Sequence, residues 1–163
     1  MGGSNFYKVV RNIDGVLVSS GLRWHYTMLR ILNDIVDDIP ASPFAREYEV
    51  GEIVCPPRKF PHALLCGFEK FADAKEYAET VSFGKNDMVF EIYRATTSQI
   101  KKEWNWPNFQ YCRSTADDLL VQFWSGKEMP ARLPPYGTIF CHDIMLDKIV
   151  WASNREIEME APW

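Results

Sequence analysis

Histidine and acidic side chains are the first candidates for chemistry in this sequence. His25, His62 and His142 lie in three different segments, so a metal site or a catalytic pair would need them to converge in space. His142-Asp143 is the best local pair, because a carboxylate can orient an imidazole for acid–base work or metal ligation. Both residues fall on a predicted strand, where successive side chains point to opposite faces. We therefore favour a polar strand end over a catalytic pair.

Four cysteines are spread over the chain without C-x-x-C or zinc-site spacing: Cys55, Cys66, Cys112 and Cys141. We favour free, mostly buried thiols in an intracellular protein. Two disulfides are the alternative, and nothing in the sequence selects among their three connectivities. Cys141 beside His142 suggests a nucleophile, but strand alternation separates the two and no oxyanion-hole signature is near.

The common catalytic and cofactor motifs are absent. The sequence contains no Gly-x-Ser-x-Gly, Walker A, Gly-x-Gly-x-x-Gly or His-Glu-x-x-His pattern, so we expect neither a cofactor nor a bound metal. An enzyme remains an alternative because many sites assemble from scattered residues. It would act on a nucleotide-like or other small molecule, with one pocket built from His62, Glu91, Tyr93, Arg94 and His142.

The segment Met88 to Ala95 reads as a central strand. Its alternation places Phe90 and Ile92 on one face and Glu91 and Tyr93 on the other. A carboxylate and a phenol on one sheet face can serve a pocket. We favour a solvated face, since alternating polar residues are typical of a sheet covered on one side.

An aromatic and basic segment is the sharpest candidate for binding. It crowds tryptophans and other aromatics beside a pair of lysines: Lys101, Lys102, Trp104, Trp106, Phe109 and Tyr111. Such a combination can stack bases or sugars or contact a protein. Aromatics folded back over the core are the more common arrangement, since large exposed apolar patches usually mark an interface. The leading prediction is a non-enzymatic binding or interaction module that uses this segment.

Composition limits the class of protein and partner. The chain has 163 residues, 47% of them hydrophobic and 14% aromatic, with a net charge of −4. A net acidic chain argues against nucleic acid or an anionic membrane as a partner of the whole surface. No apolar run approaches the roughly 18 to 20 residues needed to cross a bilayer, and no leader pattern is present, so we expect a soluble, cytoplasmic protein. Its expected partner is an unknown protein or small molecule, and a homo-oligomer is possible.

The elements that position these residues follow from periodicity and turn residues. Two β-rich runs flank Asp14-Gly15, which predicts a hairpin. Apolar residues at spacings of three and four predict helices over Trp24 to Val36, Phe71 to Val81 and Ser114 to Phe123.

Together with the strands between them, these patterns predict a single α+β domain. The sheet is antiparallel or mixed, with two or three helices packed mainly on one face. Residues 1–5 read as a tag remnant or disordered start, residues 6–150 as the domain, and residues 151–163 as an acidic tail.

Short motifs along the chain carry a family resemblance. They are Leu17-Val18-Ser19, Tyr48-Glu49-Val50-Gly51-Glu52, Pro56-Pro57, Phe71-x-x-Ala74-x-x-Tyr77-Ala78, Glu91-Ile92-Tyr93-Arg94 and Pro135-x-Gly137-Thr138-Ile139. In this order they resemble a scattered group of small uncharacterised proteins of bacteria, phages and other viruses. The resemblance implies one integral domain over positions 6–150, with local additions at residues 21–45 and after Trp151. It implies no activity, cofactor or catalytic residue.

Replacing Trp104 and Trp106 by Ala tests the aromatic segment. If the two rings form a contact surface, the double variant keeps its thermal stability within the range of surface substitutions, about 0.5 kcal/mol, and loses partner binding. Thermal unfolding followed by circular dichroism measures the first quantity. A loss of more than about 3 kcal/mol, typical of deleting a buried aromatic side chain, would instead place the rings in the core.

Overall fold

The structure, a computed structural model, describes residues 4–20, 46–60, 63–84, 88–101, 106–107, 131–132 and 136–158. Its strands are β1 (Ser4–Ile13), β2 (Val16–Ser19), β3 (Glu47–Tyr48), β4 (Ile53–Val54), β5 (Leu65–Phe68), β6 (Val89–Thr97), β7 (Ile100–Lys101), β8 (Trp106–Pro107), β9 (Ala131–Arg132), β10 (Thr138–Cys141) and β11 (Ile144–Ala152). The helix α1 spans Phe71–Ser82. No helix in these ranges is long and apolar enough to cross a membrane.

The predicted α+β class is wrong. About half of the described chain is strand, and these ranges contain one short helix rather than two or three helices packed on a sheet. The three longest strands, β1, β6 and β11, have nine or ten residues each and dominate the structure. Several others have only two residues, a length at which alternation cannot be recognised in a sequence. The helices predicted over Trp24–Val36 and Ser114–Phe123 lie outside the described residues.

Nine of the described strands form one antiparallel sheet in the order β4-β11-β6-β1-β5-β10-β7, with β2 on β1 and β3 on β2. β8 and β9 pair separately. The segment from β3 to β4 bridges two distant strands, because β3 pairs with β2 and β4 pairs with β11. Gly51 N also donates to Leu146 O at 2.9 Å. The sheet is therefore curled, and one of its faces is enclosed by its own strands.

The predicted first hairpin is confirmed. β1 and β2 pair from Val10–Ser19 to Ile13–Val16 around a two-residue turn. Asp14 and Gly15 have φ values of 51° and 88°, as a two-residue hairpin turn of this hand requires. Asn12 Oδ1 accepts the Gly15 N–H at 2.8 Å and so fixes the turn.

The predicted helix over Phe71 to Val81 is confirmed as α1. Its buried residues Ala74 and Ala78 lie four positions apart, so they share the face that meets the sheet. This helix packs against one apolar cluster, whose sheet residues are Val9, Phe68, Phe90, Ile92 and Val150. We call this side of the sheet the helix face.

The opposite side, which we call the far face, carries a second buried cluster of eleven residues. Its members come from seven strands: Phe6, Val10, Leu17, Tyr48, Leu65, Tyr93, Ala95, Ile139, Cys141, Ile144 and Leu146. Because the β3–β4 segment folds against β2 and β11, side chains of these strands meet across the curve. The far face is therefore an interior.

Gly67 is required by close packing on this face. A Cβ atom at this position would run into the Phe6 ring, which is almost fully buried. We expect Gly67→Ala to lower the free energy of unfolding by about 1–3 kcal/mol through overpacking. Urea unfolding of Gly67→Ala, Phe6→Leu and the double variant measures the coupling. The double variant should lose less than the sum of the single losses, and strict additivity would contradict the contact.

Candidate functional site

The structure describes only some of the predicted site residues. His62, Lys102, Trp104, Phe109 and Tyr111 lie outside the described residues. Lys101 is exposed in β7, next to β10, and Trp106 lies in β8. The aromatic and basic segment therefore stays a prediction.

Glu91 and Tyr93 come together on the far face. Glu91 is 0% exposed and Tyr93 is 8% exposed, so the favoured interpretation of a solvated strand face is wrong. The Tyr93 hydroxyl donates to Glu91 Oε1 at 3.1 Å. Asn12 Nδ2 donates to the same oxygen at 3.3 Å. The curl of the sheet buries residues that a flat, half-covered sheet would expose.

The second oxygen of Glu91 has a different environment. Arg155 Nη2 lies 3.3 Å from Glu91 Oε2, close enough for an ion pair. The direction of approach is not that of a hydrogen bond, and Oε2 accepts none within the described chain. A buried carboxylate is therefore fully bonded on one oxygen and held only by charge on the other.

Tyr93 acts as a hydrogen-bond donor here. Burial and then the negative charge of Glu91 raise the pKa of the Tyr93 hydroxyl well above its ordinary value. The phenol stays protonated at neutral pH and donates a hydrogen bond to Glu91. It is thus poorly suited to act as a base or nucleophile, and well suited to fix the carboxylate in place.

Lys8 is the most unusual group on the far face. It is 7% exposed, and its Nζ donates to the Cys66 carbonyl oxygen at 2.6 Å. The same ammonium lies 5.5 Å from the centre of the Tyr48 ring. Within the described ranges it forms no ion pair with a carboxylate. A buried ammonium thus has one hydrogen bond for its three N–H donors.

Opposing effects set the pKa of the Lys8 ammonium. Burial, the largest of them, acts to lower this pKa, and Tyr48, Cys66 and Cys141 act to raise it in their ionised forms, which the two thiols do not adopt at neutral pH. The net pKa lies above the ordinary value. Tyr48 adds a second incompletely bonded group, because its buried hydroxyl has no hydrogen-bond partner among the described residues.

The strand pairing explains why a polar side chain can reach this position. Along one edge of β1, Tyr7 pairs with β5, whereas Val10 to Ile13 pair with β2. β1 therefore changes partner beside Lys8, and the Lys8 side chain reaches over β5 to the Cys66 carbonyl. Two strands diverge at the point where the ammonium lies.

The cysteines near Lys8 are not activated. Burial raises the pKa of the Cys66 thiol to about 11 and that of the Cys141 thiol to about 12. Both thiols stay protonated at neutral pH, which makes them weak nucleophiles. Cys55, Cys66 and Cys141 are free. Cys141 pairs with Leu65, so it lies on the opposite sheet face from Cys66.

Arg94 and His142 do not join Glu91 and Tyr93. Arg94 follows Tyr93 in β6 and faces the other way, where its Nη2 contacts Asp147 Oδ2 at 3.2 Å. His142 is exposed in the β10–β11 turn, and its backbone N–H donates to Gln99 O at 3.2 Å. Of the four described residues in the predicted enzyme pocket, only Glu91 and Tyr93 meet.

Asp143 organises the turn that holds His142. Its Oδ1 accepts from Ser98 N at 2.7 Å and from Thr97 Oγ1 at 3.1 Å, and its Oδ2 accepts from Ser98 Oγ at 2.5 Å. Burial acts to raise the pKa of Asp143, but these hydrogen bonds, with a smaller effect of His142, lower it below the ordinary value. The carboxylate of the His142-Asp143 pair is therefore engaged in joining β6 to the β10–β11 turn.

Sequence reasoning missed Lys8, Tyr48, Asn12 and Arg155. The sequence does hold a signal for Lys8, because Phe6, Lys8 and Val10 occupy every second position of a strand and therefore share one of its faces. A lysine between two apolar residues on a buried face is unusual, because lysine side chains are rarely buried without a partner. The position of Tyr48 depends on the pairing of β3 with β2, which no local pattern encodes, and Arg155 follows a turn whose backbone bridges back to Ala152.

No protein-family model, curated protein or solved structure matches this chain. The resemblance to small bacterial and viral proteins therefore stays a prediction. Within the described residues, no group of three or more His, Cys, Asp or Glu side chains is placed to hold a metal ion.

The Asp143 turn predicts a pH-dependent contribution to stability. Because the folded pKa lies below the unfolded one, this stabilisation is present above the ordinary Asp pKa of about 3.9 and is lost as the pH falls through the folded value. We expect Asp143→Asn to cost about 1 kcal/mol at pH 7 and progressively less as the pH falls below the ordinary Asp pKa and through the folded one. Urea unfolding at several pH values measures the difference in the free energy of unfolding between the variant and the unmodified protein. Glu156→Gln, at an exposed position, is the control, and a cost for Asp143→Asn that does not change with pH would contradict the assignment.

Proposed function

We propose that the protein is a non-enzymatic binding module whose ligand carries an oxyanion, a carboxylate or a phosphate, bound by Lys8. The observation that carries this proposal is a buried, protonated ammonium with no anionic partner in the described chain. An isolated buried charge costs several kcal/mol of folding free energy. An anionic ligand offsets that cost, and this gives the binding its driving force.

The surroundings of Lys8 support an oxyanion rather than another class of ligand. An ammonium with unused N–H donors binds carboxylate and phosphate oxygens strongly, since hydrogen bonds between charged groups are about twice as strong as neutral ones. The Tyr48 hydroxyl, which has no hydrogen-bond partner in the part of the chain that the structure describes, supplies a further donor on the same face. The Tyr48 ring and the protonated Cys141 thiol give the ammonium an apolar, low-dielectric environment, which strengthens electrostatic attraction.

The chemistry of the site supports binding over catalysis. The thiols of Cys66 and Cys141 are protonated, and Tyr93 is held as a donor. The alternative, an enzyme acting on a nucleotide-like or other small molecule, is supported by the contact between Glu91 and Tyr93 alone. Of the other residues predicted for the enzyme pocket, Arg94 contacts Asp147 and His142 lies in the β10–β11 turn. The aromatic segment Trp104 to Tyr111 remains the proposed second contact surface.

A small-molecule partner fits this proposal better than a large one, because Lys8 and Tyr48 are buried within the curled sheet. We also propose a cytoplasmic location. The free thiols Cys55, Cys66 and Cys141 support it, since a reducing compartment keeps cysteines unpaired.

The Lys8→Met variant tests the oxyanion site. We expect millimolar acetate or inorganic phosphate to raise the melting temperature of the unmodified protein in a saturable way, relative to chloride of equal ionic strength. A concentration ten times the dissociation constant adds about 1.4 kcal/mol, a shift of about 3–6 °C. Lys8→Met should show no shift. Without added anion it should be at least as stable as the unmodified protein, because an apolar chain replaces an uncompensated charge.

Lys75→Met is the matched control. Lys75 is an exposed lysine on α1 that pairs with Glu79 at 3.7 Å, so its loss changes the net charge equally without touching the far face. The control should keep the full anion response. An equal response in Lys8→Met and Lys75→Met, or no response in the unmodified protein, would refute binding at Lys8.

A further inference from the structure

Glu91 is a second charged group on the far face, and its charge is opposite to that of Lys8. Glu91 is fully buried near the start of β6, and its Oε1 receives hydrogen bonds from Asn12 and Tyr93. Its Oε2 is buried and accepts no hydrogen bond within the described chain. The carboxylate is thus held rigidly with one oxygen still able to accept.

The cation that faces Oε2 comes from outside the sheet. Arg155 follows β11 in a short segment, residues 153–158, which we call the C-terminal strap. The strap is anchored at its first residue, where Ser153 N donates to Phe90 O at 2.8 Å and Phe90 N donates to Ser153 Oγ at 2.9 Å. After Ser153 the strap is mostly exposed, and the Arg155 side chain is itself 49% exposed.

Arg155 and Glu91 carry opposite charges at ion-pair distance but lack the directed hydrogen bonds of a strong arginine–carboxylate pair. A guanidinium can give a carboxylate well-directed N–H bonds, and its planar fork suits that task. Arg155 Nη2 reaches 3.3 Å from Oε2 and makes no hydrogen bond with it. A half-exposed side chain on an exposed segment therefore neutralises the buried carboxylate by charge but leaves its acceptor unused.

We propose that the Glu91 carboxylate is a binding site for a guanidinium group, and that Arg155 is an internal occupant that an external guanidinium displaces. The site is distinct from the oxyanion site at Lys8, whose Nζ is directed over β5, on the other side of β1 from β6. An incoming guanidinium would replace the charge of Arg155 and donate to Oε2, while Asn12 and Tyr93 hold Oε1 in place. The Arg155 side chain would then move away from β6, and the backbone bridge between Arg155 and Ala152 in the C-terminal strap would loosen.

The first test removes the internal occupant. Arg155→Ala should lower the melting temperature, because it leaves a buried carboxylate without a cation. Millimolar methylguanidinium chloride should restore most of that loss. Tetramethylammonium chloride at the same concentration carries the charge without N–H donors and should restore little. Equal effects of the two salts, or none from either, would overturn the proposal.

Arg94→Ala is the matched control. Arg94 also pairs with a carboxylate, Asp147, at 3.2 Å, but Asp147 is half-exposed and water can solvate it. Its loss should not be rescued by methylguanidinium. The double variant Glu91→Gln with Arg155→Ala should likewise show no rescue. A rescue of equal size in Arg94→Ala would mean that methylguanidinium acts non-specifically and would overturn the proposal.

A second measurement uses the unmodified protein and does not depend on how any variant folds. If methylguanidinium displaces Arg155, amide hydrogen exchange in the C-terminal strap should increase several-fold after Ser153, and exchange in α1 should stay unchanged. Tetramethylammonium should leave the strap unaffected. Strap exchange that is insensitive to methylguanidinium at concentrations that rescue Arg155→Ala would show that Arg155 is a fixed structural partner rather than a displaceable occupant.

Discussion

The pairing of β1 with β6 is the constraint on which the rest of the structure depends. Nine residue pairs join the two strands, from Ser4–Thr97 to Asn12–Val89. This register places Lys8 opposite Tyr93 and Val10 opposite Glu91, so all four side chains share the far face. A slip of β1 against β6 by one residue would put Lys8 and Glu91 on opposite faces of the sheet and send one of the two buried charges to the helix face, where α1 packs on an apolar cluster. The register thus determines the core and the candidate sites together.

Local chemistry made part of this fold predictable. Asp14-Gly15 identified the first hairpin because few residues adopt positive φ, and the spacing of Phe71, Ala74 and Ala78 identified α1. The alternation in β6 correctly separated Phe90 and Ile92 from Glu91 and Tyr93. What alternation could not give was burial, because it distinguishes two faces of a strand without saying which of them the sheet will enclose.

The α+β prediction failed for the same reason. Two-residue strands such as β3 and β4 leave no periodic signal, yet they bridge β2 to β11 and curl the sheet. That closure turns a surface expected to be solvated into an interior and buries Glu91 completely. The sequence shows Lys8 as a lysine between Phe6 and Val10, but the absence of a counter-ion for it among the described residues is a property of the assembled sheet.

The far face holds two opposite charges that do not neutralise each other. Lys8 and Glu91 occupy adjacent strands in diagonal register, where long side chains can reach one another. Instead, the Lys8 ammonium turns to the Cys66 carbonyl on one side of β1, and Glu91 turns to Asn12, Tyr93 and Arg155. A structure that only minimised buried charge would join the two or replace both with apolar residues. Keeping them apart leaves a buried ammonium and a buried carboxylate oxygen on one sheet face, each with hydrogen-bonding capacity that the described residues do not use.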